Sequence, residues 1–371
     1  MRTKLLRSGL GFFAFAAAVS LINVLFLPYA RTNYGFSLPG LWLSYAAALA
    51  LLMLAGRAVS RMSAAKAERM TRVLAPTFIA LLFAVHLLLG YLMEYTPSGD
   101  NSMLYNGAQM LAADGNFDKR PAIETYLLHF SNQWGFLLML AGFYKLLFAL
   151  GVTQTFFPLA LAQAVLYIFG TRATLRIAKR LSSAKGELMT LLMLACCLPM
   201  YLAAAVLYTD TFSVPFIMMA LDLALRIRDE SSRNKQLALA TACGVVVSIG
   251  CQIKMTVLIA LMAAVIVWLL EMKPARALLC AALSAAIVAG GSMAAQRFML
   301  SRVLDPQEAA QNRTPTIHWI MMSIPTGDNP YGGATGDYGI TWGMMEDGAT
   351  REEIMDSIYS RMKDRIYTLR Y

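Results

Sequence analysis

Apolar stretches follow one another along almost the whole chain, separated by short polar interruptions that carry most of its charge. The first run lies behind the basic prefix Arg2, Lys4 and Arg7 and ends near residue 30. It is long enough to cross a bilayer as a helix, and no small-residue cleavage site follows, so it reads as a signal anchor with its amino end inside. Further spans are predicted over about 39–56, 74–93, 156–177, 188–207, 212–227 and 277–296. The stretch 237–272 is too long for one span at about 1.5 Å per residue. Lys254 divides it into two short ones.

Charge orients this series. Arg57, Arg61, Lys66, Arg69 and Arg72 form one basic loop, and Arg172, Arg176, Lys179, Arg180 and Lys185 a second. A third holds Arg226, Arg228, Arg233 and Lys235, and a fourth Lys273 and Arg276. All four agree on one cytoplasmic face only if the apolar segment 134–150 does not cross. That segment, led by Trp134 and interrupted by Tyr144 and Lys145, is therefore expected as a juxtamembrane or re-entrant helix on the outer side. The prediction is an all-α polytopic membrane protein with about nine transmembrane helices. Residues 1–93 hold three spans, 94–154 an outer loop with its helix, 155–296 six spans, and 297–371 a mixed outer segment. The amino terminus is cytoplasmic, in a cell membrane.

Composition agrees with this class. The chain of 371 residues is 58% hydrophobic and 15% charged, with mean hydropathy +0.55, too apolar for a soluble domain. Its net charge of +10 is explained by the basic loops, which removes the reason to expect nucleic acid. The five cysteines lie in apolar segments without metal-ligand spacing and read as helix-packing residues. In the outer tail, Thr350 and Glu353 have the spacing of a capping box.

Candidate chemistry gathers at the outer boundary. The first long polar interruption, 94–133, places Asp100 behind the turn-forming Pro97-Ser98-Gly99. Asp210, Lys254 and His318 fall at the same boundary in this topology. Charged groups at helix ends facing one compartment are costly unless they pair, snorkel or work. Each also has a plain structural reading: Asp100 or Asp210 as helix caps, Lys254 as a snorkelling cation, His318 as a satisfied group in a folded loop. Glu94 would raise the Asp100 pKa by repulsion if it lay close. Inside the spans, His86 and Asp222 read as a helix-packing group and a group near the cytoplasmic face.

These residues resemble the GT-C superfamily of membrane glycosyltransferases, and within it the bacterial relatives of polyprenyl-phosphate-mannose protein mannosyltransferases. Ser98-Gly99-Asp100 matches that superfamily's early acid in the first large outer loop. Phe130-Ser131-Asn132-Gln133-Trp134-Gly135, with Phe143-Tyr144-Lys145, looks like the Asn-containing start of its juxtamembrane helix. Tyr208-Thr209-Asp210 matches a second acid, Gln252-Ile253-Lys254-Met255-Thr256 a lysine between spans, and His318-Trp319-Ile320-Met321-Met322 with Gly332-Gly333 the outer segment.

The resemblance implies transfer of a sugar from a polyprenyl-phosphate donor to a glycan, polymer or protein acceptor. Asp100 would act as base or hold a divalent cation, and Asp210 would orient the acceptor, tune Asp100 or share the metal. Lys254, with His318 and Arg313, would neutralise the lipid phosphate, while Asn132 and Gln133 bind sugar hydroxyls and Tyr208 adjoins the substrate. A phosphate leaving group needs no general acid, which fits three histidines in all. The superfamily continues into further helices where this chain ends, at Arg370-Tyr371, so a truncated, inactive scaffold is one alternative. A transporter or lipid flippase is the other, for which two matching halves are expected, and none is found.

Overall fold

A computed structural model describes residues 38–93, 97–117, 120–325 and 336–368. The expected first span, Glu94 and Gly332-Gly333 lie outside the described residues. Among those described there are helices and no strands. The chain divides into two units, one of residues 1–74 and 182–196, the other of 75–181 and 197–371.

In the first unit, α1 (Leu38–Arg61) and the opening turns of α2 (Ala64–Leu92) meet α7 (Ala184–Ala195). Val59, Ala67 and Leu188 form a small core, and Lys185 Nζ donates to the Ser60 carbonyl at 2.7 Å. The first basic stretch is helical rather than a loop. Lys66, Arg69 and Arg72 lie on the start of α2, and only the break at 62–63 separates it from α1. Lys and Arg favour helix, so the helices run past their apolar portions.

The second unit holds α3 (Asp100–Ala113), α4 (Pro121–His129), α5 (Trp134–Ala149), α6 (Phe156–Leu181), the one-turn α8 (Leu198–Leu202), α9 (Thr209–Asp229), α10 (Arg233–Ile253), α11 (Leu258–Glu271) and α12 (Pro274–Arg302). Among the described residues four helices, α2, α6, α10 and α12, are long and apolar enough to cross a membrane, and the segment 255–271 is a shorter apolar helix. The division of 237–272 falls where it was expected, with Lys254 in extended backbone between α10 and a 3₁₀ turn.

One expected span is corrected. The run 188–207 is not one helix: α7 stops at Ala195, α8 restarts with Pro199 in its first turn, and a 3₁₀ turn follows. Pro199 has no amide to bond the carbonyl four residues back, that of Ala195, and its ring would clash with that oxygen, so α7 stops there and Pro199 is accepted only in the first turn of a new helix. Hydropathy, which is blind to proline, reads straight through.

Small residues let the bundle pack closely, as expected where lipid supplies no hydrophobic drive between helices. A Cβ on Gly291 of α12 would meet Ser248 Oγ of α10 at 2.1 Å, and Ser284 Oγ donates to the Ala240 carbonyl at 3.0 Å. These contacts make α10 and α12 parallel neighbours, and α12 runs on past the end of α10 to Arg302. At the other end, buried Asp222 accepts from Arg176 at 2.9 Å, and Asp229 pairs with Arg180 at 2.7 Å. His86 bonds the Met200 carbonyl at 2.8 Å. Both polar groups within the spans are thereby engaged in holding helices together.

The tail makes a small helical body of its own. Met321, Met322, Met345, Ile354 and Ile358 form its core, from α14 (Thr316–Ser323), α15 (Gly336–Glu346) and α16 (Arg351–Thr368). Before it, α13 (Pro306–Asn312) is capped by Asp305, whose carboxylate accepts from the Gln307 and Glu308 amides at 2.8 and 2.9 Å. The Thr350 capping box forms as predicted: Glu353 Oε2 accepts from the Thr350 amide at 2.7 Å, and Thr350 Oγ1 from the Glu353 amide at 3.3 Å. Buried Asp337 receives Arg365 at 2.6 Å and Arg361 at 3.3 Å.

Candidate functional site

Two helix N-termini build the site. Asp100 opens α3 directly after Gly99, whose φ of 55° is a conformation side chains resist. The N-cap position is Gly99, so Asp100 stands inside the first turn of α3 rather than capping it. The Tyr105 hydroxyl donates to the Leu207 carbonyl at 2.7 Å, tying α3 to the residues that lead into α9. Asp210 lies in the first turn of α9 and is likewise not its cap. Its carboxylate instead pairs with Lys254 Nζ, which stands 6.0 Å from the centre of the Tyr208 ring.

Tyrosines connect the two acids. Burial, then the nearby charge of Asp100 and the Tyr208 phenol, push the Tyr126 phenol up. The same influences act on Tyr338 of α15. Asp100 and Tyr208 therefore border one cluster, with Asp210 two residues beyond Tyr208. The Tyr126 hydroxyl is buried and has no hydrogen-bond partner among the described residues. Desolvation holds the Asp100 carboxyl above the usual carboxylate range.

A cavity of about 460 Å³ is lined by neither acid, nor by Lys254 or these tyrosines; it adjoins the cluster through Trp319, whose ring lies 5.6 Å from that of Tyr338. Asn132, Gln252, Ser292, Gln296 and Arg313 give it neutral hydrogen-bonding groups and one cation, and Trp134 and Trp319 give it aromatic walls. The Trp134 indole is fixed by its N–H bond to the Leu127 carbonyl at 2.7 Å. Gln252 bonds Ser292 at 3.3 Å and fits only because residue 135 is glycine: a Cβ there would meet Gln252 Oε1 at 2.1 Å.

The tail closes on this region through aromatic rings. His129 stacks on Trp342 with centroids 5.1 Å apart and planes 11° from parallel. Phe130 meets Trp319, Tyr338 and Trp342 at 5.8, 6.3 and 5.1 Å. The Thr314 amide donates to the His129 carbonyl at 3.2 Å, and Arg351 holds the Arg313 carbonyl.

The predicted residues thus fall into three groups. Asp210, Lys254 and Tyr208 are in contact, and Asp100 borders the same tyrosines. Asn132 and Arg313 line the cavity, whereas Gln133 does not. His318 is a correction. Its ring is fully buried, Nδ1 lies 3.0 Å from Thr341 Oγ1, and burial, then Arg361, hold its pKa down at about 4. A neutral imidazole inside the tail's core is no counter-ion for a phosphate. Tyr126, with its buried unpartnered hydroxyl, and Gln252, on the cavity wall, were not among the predicted site residues. Gln252 stood next to Lys254 as a signal, but a tyrosine within a short helix gives none.

The metal reading finds little to build on. Among the described residues no three His, Cys, Asp or Glu side chains gather in a metal-binding group, and Asp210 is already paired with Lys254.

The family described as conserved hypothetical integral membrane protein, CHIM_prot, matches residues 20–338. The chain belongs to that family. As a CHIM_prot member it carries all the candidate residues within the matched region, from Asp100 to His318. No curated protein and no solved structure matches it.

Proposed function

We propose that this integral membrane protein is a glycosyltransferase that moves a sugar from a polyprenyl-phosphate donor to an acceptor hydroxyl at the membrane surface. The reading takes the bundle as about nine spans, counting the shorter apolar helices, with the Asp210 end outside. One observation carries it: an acid with a raised pKa and a lysine–aspartate pair share a tyrosine cluster beside a cavity of neutral polar and aromatic groups.

The acceptor oxygen attacks the anomeric carbon, the bond from that carbon to the phosphate oxygen breaks, and the acceptor's proton passes to the Asp100 carboxylate. A base works best when its pKa approaches the working pH, so the desolvation of Asp100 favours this role. Lys254 leaves Asp210 to meet charge building on the departing phosphate, and Arg313 adds a second cation. Asn132 and Gln252 bond sugar hydroxyls against Trp134 and Trp319. Tyr126, kept protonated by burial, donates a hydrogen bond to the site. Nothing in the sequence of steps passes through a metal.

The test is reconstitution of the full chain with radiolabelled polyprenyl-phosphate sugars and a membrane extract as acceptor source. Label should move from the lipid to acceptor material. Movement of the intact lipid or sugar across the bilayer without transfer would replace this reading with a flippase or transporter.

A further inference from the structure

A second hollow, of about 420 Å³, lies between α3, α5 and α12 and shares no lining residue with the candidate site. Its walls are Leu111, Leu138, Phe298 and Val303, and small residues at Ala112, Ala141 and Gly142 keep it open. A Cβ on Gly142 would touch nothing within 4 Å. Two cations, Lys145 near the end of α5 and Arg302 at the end of α12, complete the lining, and no acid does.

Both cations are exposed and neither forms an ion pair among the described residues. Arg176, Arg180, Arg228, Lys254, Arg361 and Arg365 hold carboxylates, whereas no acid lines this hollow. An apolar trough ending in two unpaired cations, at the terminus of a membrane-spanning helix, has the charge and polarity of a lipid turned inside out. Leu146 on α5 and Leu150 just after it are also exposed apolar side chains close in sequence to Lys145.

We infer that this groove holds one anionic phospholipid of the adjoining leaflet, its phosphate between Lys145 and Arg302 and an acyl chain along Leu111, Leu138 and Phe298. Lys presents a point charge and Arg a planar fork, so the pair can engage two phosphate oxygens at once. The site stands independently of the sugar-transfer reading, since no residue is common to both.

Native mass spectrometry of the full chain, released from neutral detergent after titration with phosphatidylglycerol or with phosphatidylcholine, tests it. One phosphatidylglycerol should be retained with affinity about tenfold above phosphatidylcholine, and the Lys145→Gln/Arg302→Gln double variant should lose that preference. Gly142→Leu, which fills the open space and keeps both cations, should lose retention of the lipid too, and it guards against misfolding of the charge variant. Equal retention of the two lipids, a preference that survives both variants, or displacement of the lipid by millimolar inorganic phosphate would each overturn the proposal.

Discussion

Lys254 Nζ and Asp210 Oδ1 form an ion pair that joins the break between α10 and α11 to the first turn of α9. The pair is open to solvent, with side-chain exposures of 32% for Lys254 and 57% for Asp210. Exposed pairs contribute little to folding, so Lys254→Met or Asp210→Asn should cost under about 1 kcal/mol in thermal unfolding. Transfer should fall far more, by about a hundredfold for Lys254→Met, because the cation meets the phosphate charge that builds only as the donor bond breaks. A fall in activity matched by an equal loss of folded protein would mean that the pair is structural.

Gly135 and Gln252 are coupled by shape. Gly135→Ala should destabilise the protein by about 1 to 2 kcal/mol through overpacking. Gln252→Ala removes the Oε1 and Cδ atoms that a Cβ at 135 would strike but keeps the Gln252 Cβ at 2.7 Å, so adding it should recover only part of that loss. A double-mutant cycle in unfolding measurements reads the coupling, and additive effects would show the contact to be loose.

The ionic core of the tail invites a sharper test. Asp337 is 3% exposed and holds two arginines. Asp337→Asn strands both cations and should cost about 3 kcal/mol, seen as lost hydrogen-exchange protection across 336–368. Asp337→Leu combined with Arg365→Met should restore part of that protection, since removing both partners leaves one fewer uncompensated charge.

His318 gives the tail a pH limit. Its folded pKa of about 4 lies below the ordinary value of 6.5, so the unfolded tail takes up the proton first as pH falls. The neutral ring's contribution to stability is complete above pH 6.5 and is lost as pH drops toward 4. Proteolysis of the tail should accelerate through that window in the wild type and change less in His318→Gln. His129, also lowered by burial, leaves some pH dependence in the variant.

The sequence foretold what local chemistry decides. Lys254 was a visible interruption in an apolar run, and it does part α10 from α11. Trp134 began the expected helix, and Thr350 with Glu353 announced the cap of α16. Contacts that arise only when distant segments meet were not legible. His129, Phe130, Trp319, Tyr338 and Trp342 look like ordinary aromatic residues along the chain, yet they join the tail to the loop before α5. His318 was a candidate for the lipid phosphate because its segment falls at the outer boundary, and only the folded tail shows the ring buried. The break at Pro199 was written in the sequence but outvoted by hydropathy.

The account turns on Asp100 as the group that takes the acceptor's proton. The most direct test is the initial rate of sugar transfer by reconstituted wild type and Asp100→Asn, with retention of the donor lipid measured on the same samples. The account predicts a drop of about three orders of magnitude in rate with donor retention unchanged, the mark of a lost general base. Transfer at the wild-type rate by Asp100→Asn would contradict it.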